Sequence, residues 1–373
     1  MMLGLRWWRM HGRAWAHPPT FSHDRPKWLS PEISDKEVLI WLSPYNWRLA
    51  KCDSAKGMSH FAEDLRVLRA TVKRRLACRV QRGNRVSERG CIVVASEQQA
   101  QKVVISHIGG FAWPTVSLLA LCVGVYGVCL WHLVIDPSFS WWIVAGIAVC
   151  AYAVYTVLHE AVHGAVTGMN LRLRWVNEWA GYAAAHMLGV SFIGHRRGHL
   201  KHHHATNHPE DDPDMAFSAH SLPALVAMWF KGIPKEWHFA VTFKHFTAAE
   251  KRILVLEYAA VLATRALLLV SCADLGVTVL TVVLGHLFGN AVLTTLFAWI
   301  VHHPHTEQER MKTTTVYQAR RGLDTLMTLL WGFQNYHAMH HLYPKVPFFR
   351  YRKLYRKLEP YLLASGLPVK QLI

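Results

Sequence analysis

AWPTVSLLALCVGVYGVCLWHLVIDPSFSWWIVAGIAVCAYAVYTVLHEAVH, residues 112–163, contains neither Lys nor Arg. It holds two apolar runs, about Ala112–Leu133, entered through Pro114, and Trp141–Leu158. Each is close to the roughly 20 residues that a helix needs to cross a bilayer. Only a short link with Asp136 and Pro137 separates them, so the two runs predict a tight transmembrane hairpin. The second run ends at His159, which places the histidines of the closing HEAVH at or just past the membrane boundary.

Working outward, a second apolar block runs from Ile253 to Glu309 and holds a single basic residue, Arg265. It predicts a second hairpin, with spans at about Ile253–Val270 and Leu275–Val301 joined by Cys272-Ala-Asp-Leu. Arg265 falls near the outer end of the third span and is expected to snorkel outward. Between the hairpins, Trp179–Ile193 is apolar but short, and suits an interfacial or re-entrant segment better than a crossing. A long polar stretch, about 195–252, comes after it.

The chain has 373 residues and a formal net charge of +17, nearly all of its Lys and Arg lying outside the two apolar blocks. That is the distribution expected of a membrane protein whose basic segments stay on the cytoplasmic side near anionic headgroups. No nucleic-acid-binding module accompanies the charge, so no nucleic-acid partner is expected. Two hairpins put both termini and everything between the hairpins on one side. Both connecting links lack Lys and Arg, so the shared side is read as the cytoplasm. The seven cysteines form no C-x-x-C pair and show no disulfide or iron–sulfur framework. No signal-peptide pattern opens the chain.

Three histidine boxes flank these spans: His159/His163 in H-E-x-x-H, His199/His202/His203 in H-x-x-H-H, and His337/His340/His341 in H-x-x-H-H. On a helix, residues three and four apart share a face, so each box presents its imidazoles together. With 25 histidines in the chain, one given H-x-x-H-H arises by chance about 0.1 times. Imidazole ligates iron, zinc, copper and nickel, and the three boxes together exceed what one structural zinc needs. They therefore predict two redox metals. A metal pair held mostly by imidazole can reduce O2 and oxidise an unactivated C–H bond, which no side chain does unaided. The membrane setting implies a lipid-soluble substrate.

Two other classes compete. H-E-x-x-H matches a zinc metalloprotease, with Glu160 as general base, but it leaves the other two boxes idle. A histidine-rich metal transporter would bind zinc and use no O2.

The boxes and their settings resemble the membrane fatty acid desaturase superfamily, which includes fatty-acyl desaturases and carotenoid hydroxylases and ketolases. Residues 199–214, HLKHHHATNHPEDDPD, look like its second box and trailing acidic turn. Residues 334–351, QNYHAMHHLYPKVPFFRY, look like its third, and are similar to bacterial fatty acid desaturases and to β-carotene hydroxylases of the cyanobacterial type. The likeness covers about residues 97–360. It implies an all-α integral membrane fold: about four transmembrane helices in two hairpins, with a cytoplasmic helical cap carrying the metal site. It also implies two iron ions, O2 as co-substrate, a separate electron donor, and one more histidine ligand at the end of the fourth span. His302 matches that place best, with His303 and His305 as spares.

Other candidates remain open. His204 extends box two, and His195, four residues before His199, is either a ligand or a residue behind one. Glu160, Asp211, Asp212, Asp214 and Asn335 are candidates to hold a ligand histidine through its other ring nitrogen. Simple surface acids are the alternative for the carboxylates. No haem segment, ferredoxin cysteine set or Gly-rich dinucleotide motif is visible, so the donor is expected to be another protein, such as a ferredoxin or a cytochrome b5-like protein.

The domain expected is 97–363, ending in a surface helix over Tyr351–Leu363. Residues 1–96 form an extension with a basic amphipathic helix near 59–79, where Phe61, Leu65, Leu68, Val72 and Leu76 share a face. The first 57 residues show no period. They are either a true cytoplasmic extension or the product of a start placed too early, with Met58 the alternative. The expected enzyme introduces a double bond into a fatty acyl chain, with carotenoid hydroxylation as the alternative, and resides in a bacterial inner membrane.

Overall fold

The structure is a computed structural model and describes residues 38–43, 46–50, 96–320 and 322–372. The chain forms two compact units, Met1–Asn84 and Arg85–Ile373. In the first, β1 (Val38–Ser43) pairs antiparallel with β2 (Asn46–Ala50), in a stretch where the sequence shows no period. The amphipathic helix expected near 59–79 lies outside the described residues.

The second unit is helical. After α1 (Glu97–Ile108), capped by the Ser96 side chain on the Gln99 N–H, come α2 (Trp113–Ile135) and α3 (Trp141–His163). Later in the chain, α8 (Ala248–Ser271) and α9 (Leu275–His302) form the second hairpin. These four helices are long and apolar enough to cross a membrane. At 1.5 Å per residue, even 23 residues reach about 34 Å. Their outer faces leave Val128, Trp142 and Val270 largely exposed, as lipid-facing positions do. Helix α8 opens with a capping box, Thr247 and Glu250 each bonding the other's backbone N–H, and Asp274 caps α9.

Small residues bring α3 and α9 together. A Cβ at Gly289 would sit 2.7 Å from the Ala148 carbonyl oxygen and 2.7 Å from the Ala151 Cβ; one at Gly285 would strike Ile147. Gly285 and Gly289 are four apart, so one face of α9 approaches α3 closely enough for backbone contact.

The short apolar segment Trp179–Ile193 is divided between two helices. Helix α4 (Arg174–Leu188) ends at Gly189, whose φ of +74° suits glycine, and α5 (Phe192–Ala205) starts afresh at the Ser191 cap. The corner is satisfied from α8. Arg265 donates to the carbonyls of His186 (3.1 Å) and Met187 (3.0 Å), and Glu257 accepts from Ser191 Oγ (2.6 Å) and the Phe192 N–H (2.7 Å). Arg265 therefore does not snorkel outward. It reaches sideways and meets the negative end of the α4 dipole, while Glu257 meets the positive end of α5.

The cap continues with α6 (Leu222–Met228), α7 (Gly232–Thr242), α10 (Leu323–Leu330), α11 (Ala338–Leu342) and α12 (Tyr351–Ala364). Two short parallel strands, β3 (Val316–Gln318) and β4 (Val369–Gln371), tie the C-terminal end to the loop after α9. The expected C-terminal helix is present, and Tyr351, Leu354, Tyr355, Leu358 and Leu362 bury its apolar side against α1 and the third-box segment.

Candidate metal centre

Three elements and one helix end bring the predicted histidines to one place. Box one lies in the last turns of α3, box two lies on α5, and box three spans a 3-10 turn (Gln334–Tyr336) and α11. His302 arrives from α9 through a π turn at Thr294–Trp299. Such a turn adds a residue to the helix and rotates the segment beyond it. The carbonyls around it find outside donors: Trp331 Nε1 on Leu296 (2.8 Å), Tyr317 OH on Ile300 (2.9 Å) and the Thr315 N–H on Val301 (2.9 Å). Phe297, inside the turn, packs on the His159 ring.

The imidazoles form two adjoining groups. In one, ligand atoms of His159, His199, His203 and His340 all lie within 4.8 Å of one another, with the His163 ring 4.6 Å from His203 and 4.7 Å from His340. In the other, His202, His302 and His341 meet the same limit, and His337 Nε2 is 3.1 Å from His341 Nε2. The groups touch where His203 and His341 stack at 4.3 Å.

The nitrogens that converge are mainly Nε2. The separations are 2.8 Å for His203–His340, 3.0 Å for His199–His203 and 3.3 Å for His199–His340. Behind several rings, Nδ1 is held by an acceptor. His202 donates to Asp212 (2.8 Å), His337 to Gln334 Oε1 (2.9 Å) and His302 to the Thr313 carbonyl (3.3 Å), while His340 Nδ1 meets Tyr351 OH at 3.1 Å. A proton fixed on Nδ1 leaves Nε2 as a lone pair. Both nitrogens of His159, and Nε2 of His163, are buried without a hydrogen-bond partner. Each such atom costs about 1–3 kcal/mol, and a shared cation relieves several at once. The donor set therefore fits metal.

Electrostatics agree. Burial, reinforced by neighbouring imidazoles, holds His199, His203, His340 and His341 well below the ordinary histidine range, and His337 down to about 3. These rings are neutral and available as ligands at pH 7. His202 differs: burial acts to lower it, but Asp214 and Asp212 outweigh that and raise it.

The remaining candidates separate. Asp212 is buried, holds His202, and is itself fixed by the N–H groups of Asn207 and Asp214, each at 2.8 Å. Asp214 lies 3.6 Å from His202 and is bonded by Lys235, which also reaches Glu236 at 3.4 Å. Asp211 is exposed and faces His208 and Lys201. His195 donates from Nδ1 to Glu236 (3.2 Å) and stands outside both groups. His204 is exposed, which removes it from the box-two pair. His303 lies against Trp299, and His305, though buried, has its ring 6.0 Å from His302.

Two expectations are corrected. Glu160 neither orients a ligand nor sits on the surface: it is buried and accepts from Thr115 Oγ1 (2.5 Å) and the Phe348 N–H, so H-E-x-x-H has no general base facing the histidines. Asn335 binds the Tyr317 carbonyl and Thr328, and its neighbour Gln334 holds the ligand-facing ring instead. Sequence reading missed Gln334, Tyr351, Glu236 and Lys235. Only Gln334 carried a local signal, three residues before His337.

Replacing Gln334 with Leu is expected to weaken metal binding about 10- to 100-fold, the usual effect of removing a ligand's outer partner. Chelator competition on the purified protein reads this directly, and unchanged affinity would remove Gln334 from the centre.

A cavity opens beside the first group, between α3, α5, α7 and α9, with walls formed largely by Leu158, Leu188, Val190, Ile233, Leu293 and Phe297. A largely apolar cavity that His199 of the first group lines suits binding of a lipid.

Residues 138–372 match the family model described as fatty acid desaturase. No curated protein matches the chain significantly. The match spans more than half of the 373 residues and takes in all three histidine boxes and His302. With four membrane-length helices and a histidine cluster able to hold metal, the chain belongs to the fatty acid desaturase family and is an integral membrane oxidoreductase.

Proposed function

We propose that the protein binds two iron ions and uses O2 to introduce a double bond into a membrane-borne fatty acyl chain. The observation that carries this reading is the meeting of two imidazole groups, one of which reaches the wall of a largely apolar cavity through His199. His159, His163, His199, His203 and His340 would hold one iron, and His202, His302, His337 and His341 the other. When bound, such a pair supplies the O2 reduction that hydrogen removal from an unactivated carbon requires. The protein contributes the rest. It fixes ring orientation through Asp212, Gln334, Tyr351 and the Thr313 carbonyl, keeps His199, His203, His337, His340 and His341 neutral by burial, and excludes water with the walls of the cavity.

The balance is –CH2–CH2– + O2 + 2 e⁻ + 2 H⁺ → –CH=CH– + 2 H2O. The electrons come from a separate donor protein, a ferredoxin or a cytochrome b5-like protein, because the chain has no redox motif of its own beyond the histidines. The cap and both termini face the cytoplasm, since the links at 136–140 and 272–274 carry no Lys or Arg.

The test is expression of the full chain in a host with a ferredoxin system and added β-carotene, followed by mass spectrometry of fatty acids and carotenoids. New double bonds that vanish in His202→Ala support the reading. Hydroxylated carotenoid with unchanged acyl chains replaces it with the hydroxylase. Bound zinc without any lipid product overturns both.

A further inference from the structure

Nearly every polar group in the cavity wall is already paired. Lys235 is bonded to Asp214 and Glu236, Asn290 to the Trp229 carbonyl, Thr294 to the Asn290 carbonyl, and His286 Nδ1 to the Val282 carbonyl. Two side chains depart from this. His195 is 4% exposed, lines the cavity, and has no hydrogen-bond partner at Nε2. The Tyr155 hydroxyl, on the same wall, makes no hydrogen bond among the described residues. Their rings lie 5.5 Å apart, and each adjoins the first histidine group, Tyr155 against His159 and His195 against His199.

We propose that Tyr155 and His195 form a polar subsite that receives a hydroxyl group of the lipid substrate beside the histidine cluster. The inference rests on the proposed lipid oxidation and adds the substrate's chemistry to it. Glu236 accepts the Nδ1 proton of His195, so Nε2 presents a lone pair. A substrate O–H donates to that lone pair, and its oxygen accepts from the Tyr155 hydroxyl. A plain methylene chain satisfies neither group, leaving two polar atoms buried against hydrocarbon. A carbonyl satisfies Tyr155 alone. A hydroxyl satisfies both, so the wall selects hydroxylated lipids, with the oxygen near the carbon to be oxidised. An acyl chain and a terpenoid ring are two sources of that group.

The experiment is displacement of bound cis-parinarate from the iron-loaded full chain in zwitterionic nanodiscs. One arm compares hydroxystearate positional isomers with stearate, and the other β-cryptoxanthin with β-carotene. The wild type is expected to prefer at least one hydroxylated member over its parent by roughly three- to tenfold, the range of a neutral hydrogen bond. The arm showing the preference identifies the source. Tyr155→Phe, which removes one oxygen and little else, is expected to erase most of it, and His195→Phe to do the same without loss of iron.

Equal displacement by parent and hydroxylated lipids in both arms overturns the subsite. So does a preference that survives Tyr155→Phe, and so does loss of iron from His195→Phe, which would make His195 a ligand. Iron content and O2-dependent product, measured on the same wild-type preparation, separate this failure from failure of the lipid-oxidase reading.

Discussion

On the proposed two-iron centre, His340→Ala is expected to abolish lipid oxidation and to lower bound iron to one ion per chain or fewer. His340 sits at the crossing of the site. Its Nε2 is 2.8 Å from that of His203 and 3.3 Å from that of His199, and its Nδ1 meets Tyr351 OH on α12. Removing an outer partner of a ligand typically costs 10- to 100-fold. Removing the ring deletes a proposed ligand, leaves the buried Tyr351 hydroxyl without this partner, and opens space for water within the histidine cluster. The loss of activity should therefore exceed that of Gln334→Leu by at least about tenfold. Metal analysis per chain and product analysis check both halves. Elution at the wild-type volume in detergent would show that the helices still assemble, since α3, α8 and α9 pack without His340. Full iron with full activity in His340→Ala would dismantle the proposed centre.

How much of the molecule is legible from its residues alone depends on the range of each interaction. The four spans are readable because a backbone in hydrocarbon must bond within its own helix, which forces long unbroken apolar runs. The boxes are readable because i, i+3 and i+4 neighbours share a helical face. The same rule accounts for Glu160. It comes one residue after His159, about 100° around the helix, and so turns from the histidines toward Thr115 and Phe348. His302 is placed by resemblance, and its approach depends on a π turn that no spacing announces.

The break at Gly189 is hidden by an apolar run that reads through it. Its partners, Arg265 and Glu257, lie about 70 residues on. Lys235 and Glu236 reach the site only through tertiary packing, Glu236 lying 41 residues from His195, while Tyr351, 11 residues after His340, is brought back to it by the turn into α12.

Lys235 carries the second large expectation. It stands between Asp214 and Glu236, the side chains of all three being no more than 23% exposed. Asp214 faces His202 and Glu236 faces His195, so one ammonium group neutralises the carboxylates behind two histidines. Lys235→Met preserves the stem and deletes the charge, leaving both carboxylates to repel each other with little water. Breaking a buried pair in this way typically costs about 3–5 kcal/mol.

The size of this deficit should then depend on pH. In the wild type, burial alone would raise both carboxylates, but Lys235 and the facing histidines hold them below their ordinary values of 3.8 and 4.5. The stability they contribute is whole above that range and is lost as pH falls below it, Glu236 reaching about 2. In Lys235→Met only the facing histidines still oppose burial and repulsion, so both carboxylates titrate higher than in the wild type. The variant's deficit against the wild type is then largest near pH 8 and shrinks as pH falls toward about 5. Unfolding midpoints of metal-free wild type and variant, measured in detergent across that interval, decide the matter. A variant as stable as wild type at the alkaline end, or one whose deficit stays constant with pH, would show that Lys235 is not the counter-charge this pair depends on.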